Sequence, residues 1–242
     1  MNRKTRGIVL HTTRYGESSL IVHSYTESNG RQSFMVKGVR KSRKNNRSNL
    51  FQPLFILDFE VYHKDTRDIQ LVKEVSRSIP LISIPYDITK STQAIFMAEI
   101  LYRVIREEEP NPMLSHFLIS TIQYLDALVE ASPDFHIVFM FQLCKYLGFY
   151  PRKNERTEER YFDLASGRFK PVFTDPDIQL SQAESALWKS FMLSDFQQIR
   201  EMGMNSAQRK KVLDHLVRYY RLHVEGMGAI RSLEVLHEFF HS

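Results

Sequence analysis

The sharpest catalytic motif in the chain lies at its end. His237-Glu238-Phe239-Phe240-His241 fits H-E-x-x-H, which on a helix puts two histidines on one face for zinc with the glutamate as base. A catalytic zinc needs a third protein ligand, and only Ser242 follows. Leu233, Leu236, Phe239 and Phe240 form an apolar stripe that the histidines simply flank, so a packed terminal helix is expected instead of a metalloprotease. Cys144 is the single cysteine. It excludes an intramolecular disulfide and sits in an apolar helical pattern, where a buried, inert thiol is expected. His11, His23 and His63 fall in strand patterns without a shared carboxylate spacing and read as barrel-surface or rim residues. Phosphate-binding loops, a dinucleotide fingerprint and a nucleophile elbow are missing from the sequence. Gly226-x-Gly228 reads as a turn between helices. No acid, base and nucleophile stand out together, and no cofactor or metal is expected.

Electrostatic binding is the chemistry that is present. Residues 1–80 carry 15 Lys and Arg against 7 Asp and Glu, while residues 81–242 carry 18 against 21. The net charge of +5 therefore conceals a strongly basic front and a mildly acidic remainder. Within the front, Lys37, Arg40, Lys41, Arg43, Lys44 and Arg47 lie in KGVRKSRKNNR, with no acid among them. Such a run suits a polyanion, because each phosphate contact releases counterions. Aromatic faces would add a place for unstacked bases. Tyr15, Phe34, Phe51, Phe55 and Tyr62 are the candidates, with barrel core as the competing assignment for each. That assignment is preferred for Phe55 and Phe59. Tyr15, beside Arg14 and Gly16 in a turn, is the best candidate for exposure.

These groups need a scaffold. The first 80 residues read as five strands: Gly7–Thr13, Ser19–Thr26, Arg31–Gly38, Leu54–His63 and Ile69–Ile79. Asn29-Gly30 marks a hairpin between the second and third. A long connection holding the basic run separates the third from the fourth. Five such strands suggest a small closed barrel of the OB type; an SH3-like barrel or an open sheet fits the pattern too. After the linker bracketed by Pro80 and Pro85, apolar spacing becomes helical. Helices are expected over 88–107, with Asp87 as N-cap, then 114–129, 135–147 with Gly148 as C-cap, 181–193, 206–224 and 231 onward. A hairpin is expected within 152–180, around Ser166-Gly167. Two domains follow: residues 1–80, β and basic, and residues 81–242, mainly helical with a small β-hairpin insertion. No window approaches the roughly 18 apolar residues of a membrane span, and MNRKTRGIVLHTT lacks the form of a signal peptide. A cytoplasmic location is expected.

The segments GIVLHTTRYGESSLIVHSYTESNGRQSFMVKGVRKSR, LFQPLFILDFEVY, LYRVIREEEPNPMLSHFL and FQLCKYLGFYP resemble, in order and spacing, the bacterial recombination mediator family RecO. The resemblance implies an N-terminal OB fold, a helical C-terminal domain and no enzyme. It implies binding of single- and double-stranded DNA, annealing of complementary strands, and work with RecR to help load RecA onto DNA coated by single-strand-binding protein. It also implies contact between the helical domain and the acidic tail of that protein. Many members carry four cysteines as a zinc ribbon after the L-G-[FY]-x-P segment. Here Leu147-Gly148-Phe149-Tyr150-Pro151 is followed by RKNERTEERYFDLASGRF, without cysteine, so the hairpin is expected without its metal.

The expected DNA contacts are Arg14, Tyr15, Lys37, Arg40, Lys41, Arg43, Lys44 and Arg47. Arg103, Arg106, Lys145 and Arg218 are chosen for the acidic tail. Two other roles fit the same residues: an adaptor that reaches DNA mainly through a partner, and an RNA-binding factor built on an OB barrel.

Overall fold

The computed structural model describes residues 2–39, 47–153, 156–198 and 203–241. Five strands, β1 (Asn2–Tyr15), β2 (Ser19–Thr26), β3 (Gly30–Val36), β4 (Ile56–Tyr62) and β5 (Ile69–Ile79), close into a barrel in the order β1-β2-β3-β5-β4. All pairings are antiparallel except β3 with β5, which is parallel at Phe34↔Gln70 and its neighbours. This is the closed five-strand barrel expected from the strand pattern. Its interior is lined by Val22, Phe34, Leu57, Phe59 and Val61, all nearly inaccessible. The Phe34 and Phe59 rings stack with centroids 4.5 Å apart.

The first strand is longer than expected, starting at Asn2 because Asn2–Ile8 pair with Tyr62–Ile56. Its register against β2 slips between Val9 and His11. Leu10 is thus an extra residue, a β-bulge that bends the strand. Before it, Thr5 and Gly7 face inward, and a Cβ on Gly7 would touch the Phe59 ring. After it the phase reverses. Thr12 lies beside inward Val22, while His11, Thr13 and Tyr15 face outward. One strand can therefore close two sides of the barrel.

The first compact unit extends over residues 1–129 and includes α1 (Ile88–Val104) and α2 (Pro112–Ala127). Asp87 caps α1 by accepting from the Lys90 amide at 3.0 Å. Pro112 opens α2 behind the Asn111 cap, where its missing N–H costs nothing. The α1–α2 connection packs on the β2–β3 hairpin. The Arg31 amide donates to the Glu107 carbonyl at 2.9 Å, and Tyr25 Oη donates to the Asn111 carbonyl at 3.2 Å. Gly30 has φ +61°, and any Cβ there would overlap the carbonyl oxygens of Glu107 and Glu109. Lys90 is almost fully buried, its ammonium donating to Ser83 Oγ and to the carbonyls of Asp126 and Leu128.

The second unit, residues 130–242, contains α3 (Phe135–Leu147), the hairpin β6 (Tyr161–Asp163) and β7 (Arg168–Lys170), α4 (Gln182–Leu193), α5 (Ser206–His223) and α6 (Ser232–His241). Gly148 ends α3 at φ +82°, as expected of a C-terminal glycine. An aromatic core holds the hairpin: Phe162 stacks on Trp188 at 4.8 Å and meets Phe169 at 5.1 Å. The Asp163 carboxylate accepts from the Ser166 amide at 2.7 Å and closes the turn. Among the described residues, no group of three or more His, Cys, Asp or Glu is placed to hold a metal ion. No described helix is long and apolar enough to cross a membrane.

Candidate nucleic-acid interface

The basic residues of the barrel fall into two classes. At the start of β1, Arg3, Lys4 and Arg6 are already matched to acids. Lys4 lies 3.8 Å from Glu60, Arg6 lies 3.5 Å from Glu27 and 3.6 Å from Asp58, and Arg3 lies 3.9 Å from Asp65. Lys73 of β5 also reaches Glu60, at 2.6 Å. That hydrogen bond, with the lysine charge behind it, holds the Glu60 carboxyl below its ordinary range. A cleft of about 650 Å³ on this side is lined by Lys4, Arg6, Glu27, Asp58, Glu60 and Glu74 among others, acids outnumbering bases. A phosphate entering it would meet carboxylates first.

The other end of β1 differs. Arg14 is in register with Leu20, which pairs with Val36 of β3. Tyr15 pairs with Ser19, and Lys37 follows Val36 directly. The Val39 amide donates to the Ser18 carbonyl at 2.9 Å, tying the exit of β3 to the β1–β2 turn. Arg14, Tyr15 and Lys37 therefore meet at one rim of the barrel, all exposed. Among the described residues, neither Arg14 nor Lys37 has a carboxylate within 4.0 Å. The chain enters the basic run at this rim. Arg40, Lys41, Arg43 and Lys44 lie outside the described residues. Arg47 begins a short 3-10 helix to Phe51, and its side chain also lies outside them.

The aromatic candidates sort by burial. Phe34, Phe51 and Phe55 are buried barrel core, whereas Tyr15 and Tyr62 are 53% and 45% exposed. A second aromatic group, not assembled from the sequence, lies on the outer face of β1–β2–β3. His11 and His23 are paired in register, with ring centroids 5.9 Å apart. Tyr102 of α1 lies 4.7 Å from His11 and 5.3 Å from His23. Behind it the Arg31 guanidinium lies 4.5 Å from the Tyr102 ring centre and donates to the carbonyls of Tyr102 at 2.9 Å and Ile105 at 2.8 Å. Burial, reinforced by the nearby His11 and Arg31 charges, holds His23 below its ordinary pKa. Only pairing register and helix docking bring these four residues together, and spacing along the chain contains neither.

The residues chosen for an acidic tail do not form one cluster within a unit. Arg103 sits on α1, 3.8 Å from Glu99, and Arg106 follows α1 in the same unit. In the second unit Lys145 on α3 donates to Gln142 at 2.5 Å and lies 5.0 Å from the Tyr150 ring centre. Arg218 is exposed on α5. His237 of the H-E-x-x-H motif faces Asp214 of α5 at 3.3 Å. Burial pushes the Cys144 thiol up to about 12, as expected for an inert core cysteine.

Comparison with known proteins carries the barrel further. A family described as recombination protein O, N terminal, matches residues 1–78, and one described as recombination protein O, C terminal, matches residues 85–234. The "DNA repair protein RecO" of Bacteroides fragilis is 37% identical over 243 residues, covering 99% of this chain and 100% of that protein. Proteins of the same description from Phocaeicola vulgatus and Flavobacterium psychrophilum are 35% and 36% identical, each over 99% of this chain and all of the relative. A closed five-strand barrel followed by helices and a small hairpin, matched from end to end by such relatives, places this chain in the RecO family of DNA repair proteins.

Proposed function

We propose that the chain is a non-catalytic DNA-binding and strand-annealing mediator, which acts with RecR to help load RecA onto DNA coated by single-strand-binding protein. The observation that carries the binding reading is the barrel rim where Arg14, Tyr15 and Lys37 meet without carboxylate partners among the described residues, at the point where the acid-free run 37–47 begins. Phosphate contacts there would give affinity with little base preference, since they carry no sequence code. Annealing needs such indifference, because any two complementary strands must be held. Family membership supports the partners RecR and the acidic tail of single-strand-binding protein, and a cytoplasmic, nucleoid-associated location.

The test is single-strand affinity as a function of salt. Replacing Lys37, Arg40, Lys41 and Arg43 together by alanine lowers the slope of log affinity against log salt by about 2.8, or ~0.7 for each lost phosphate contact. An unchanged slope rules out the assignment. Annealing of complementary strands coated by single-strand-binding protein, with and without RecR, tests the mediator role. Residues 1–129, the compact unit, binding strands without any partner would separate direct DNA binding from an adaptor role.

A further inference from the structure

Resting on the nucleic-acid reading above for its use, we propose that the uncharged face formed by Ile82, Tyr86, Ile88 and Ile95 docks a second copy of this chain, so that two strand-bearing molecules meet for annealing.

These side chains lie on the linker after the barrel and on the outward stripe of α1, and they are 78%, 88%, 66% and 50% exposed. Large apolar groups this open are ordinary when scattered singly; four in one stretch mark an interaction surface. Their backbone is firmly held. The Asp126 carboxylate accepts from the Ile82, Ser83 and Ile84 amides at 2.7, 2.8 and 2.8 Å. The buried Lys90 ammonium donates to Ser83 Oγ and to the Asp126 and Leu128 carbonyls. The linker is thus fixed while Ile82 and Tyr86 stay in solvent, and a preordered surface loses little entropy on docking.

Charge decides the occupant. From Pro80 to Ala98 the charged residues are Asp87 and Lys90. Asp87 caps α1 and Lys90 is buried, so a polyanion or an anionic membrane finds no cation on this face. A twofold axis sets a patch against itself and requires self-complementarity. An uncharged patch meets that requirement, because no like charges are brought together. Ile88 and Ile95 are seven residues apart on α1, two turns or about 10 Å. Antiparallel packing of α1 on its twin, with the axis near Ser91, sets Ile88 of each copy against Ile95 of the other. Ser91 donates its hydroxyl to the Ile88 carbonyl at 3.1 Å, so closure strands no donor there. Beyond Ile95 the stripe ends: Glu99 is matched to Arg103 at 3.8 Å, and Tyr102 packs on His11 and His23. The four side chains present roughly 500 Å². Two copies would cover about 1,000 Å² in total, the size of a weak, reversible interface and not of a permanent one.

The experiment is sedimentation velocity of the full chain without DNA, across the micromolar range and at low and high salt. A reversible monomer–dimer equilibrium is expected, no weaker at high salt, because apolar contact is not screened. Tyr86→Ala is expected to weaken it roughly tenfold or more, as loss of an aromatic anchor does. Ile88→Asp is expected to abolish it. That carboxylate would sit in the first turn of α1, where the helix dipole favours it, so the melting temperature should stay as in the parent. Mixing Ile88→Asp with Ile95→Lys chains should restore a heterodimer, since the new charges meet across the axis; two monomers in the mixture would contradict the antiparallel pairing. A parent that stays monomeric throughout, or a dimer that neither Tyr86→Ala nor Ile88→Asp weakens, would overturn the docking surface. Below the dissociation constant, the annealing rate should rise with the square of protein concentration for the parent and linearly for Ile88→Asp, with equal single-strand affinity. The same order for both would overturn the use in annealing. If the parent dimerised but bound no oligonucleotide, the nucleic-acid reading would fall and the surface would stand.

Discussion

The two ends of strand β1 carry similar basic residues in opposite surroundings. At its start, Arg3, Lys4 and Arg6 face β4 and its flanking turns, and Asp58, Glu60, Glu27 and Asp65 meet them. At its end, Arg14 stands beside β2 and β3, whose outward positions hold His23, Ile21, Ser33 and Met35 and no acid. A cation already matched to a carboxylate gains little from a phosphate, because one partner replaces another. An unmatched cation gains the whole contact. The charge surplus of the front therefore overstates what one side of the barrel can offer DNA and understates the other.

The largest effect should come from the covering of the outer face. Gly30→Ala sets a Cβ against backbone that cannot yield, at φ +61°, and is expected to cost about 3 kcal/mol in urea denaturation. A loss below ~1 kcal/mol would mean that the α1–α2 connection does not hold this hairpin. Next comes the contrast between the two ends. Arg14→Ala with Lys37→Ala should lower single-strand affinity about tenfold near physiological salt and the salt slope by ~1.4. Lys4→Ala with Arg6→Ala should leave the slope nearly unchanged, and equal slopes for the two double variants would erase the distinction. A smaller effect is expected from Glu60→Gln, which frees Lys4 and Lys73 and should raise DNA affinity slightly; a fall would contradict the pairing.

The smallest effect is a pH dependence. The folded pKa of His23 is lowered, by burial first, so the unfolded chain binds its proton more readily. The neutral form is favoured in the fold, stability from this group is full above the unfolded value of about 6.5, and it declines as pH falls below that. Melting temperatures between pH 8 and pH 5.5 should therefore fall less steeply for His23→Gln than for the parent. A parallel decline would remove His23 from the account.

Much of the scaffold was legible because it follows local rules. Leu20, Val22 and Ser24 alternate along the second strand and are all buried. Asp87 and Gly148 do cap helices. The first residues of β1, NRKTR, offer no apolar alternation, and their pairing with β4 supplies the reason for a strand there. Leu54 was expected to begin the fourth strand, yet it takes φ +63° and the strand starts at Ile56. Burial of its side chain and a bond from its amide to the Val9 carbonyl at 2.8 Å hold it there. The second helix, expected from residue 114, begins at Pro112, which sits in its first turn behind the Asn111 cap. Of the candidate site, Arg14, Tyr15 and Lys37 are legible as candidates from residue type and neighbourhood alone. His11 and His23 sit in strand patterns with no spacing that pairs them, and Tyr102 and Arg31 join them only through helix docking and strand register.

The order of residues alone determines the alternation that makes five strands, the spacing that makes the helices, the basic surplus before residue 80 and the kinship with RecO. Each depends on near neighbours or on summed composition. Tertiary structure decided which cations stand bare and which rings share a face. One extra residue at Leu10 reverses the phase of everything after it, and whether a lysine meets a glutamate depends on strands some 56 positions apart, such as Lys4 and Glu60. Contacts at that separation are set by how the barrel closes, which no short window of sequence contains.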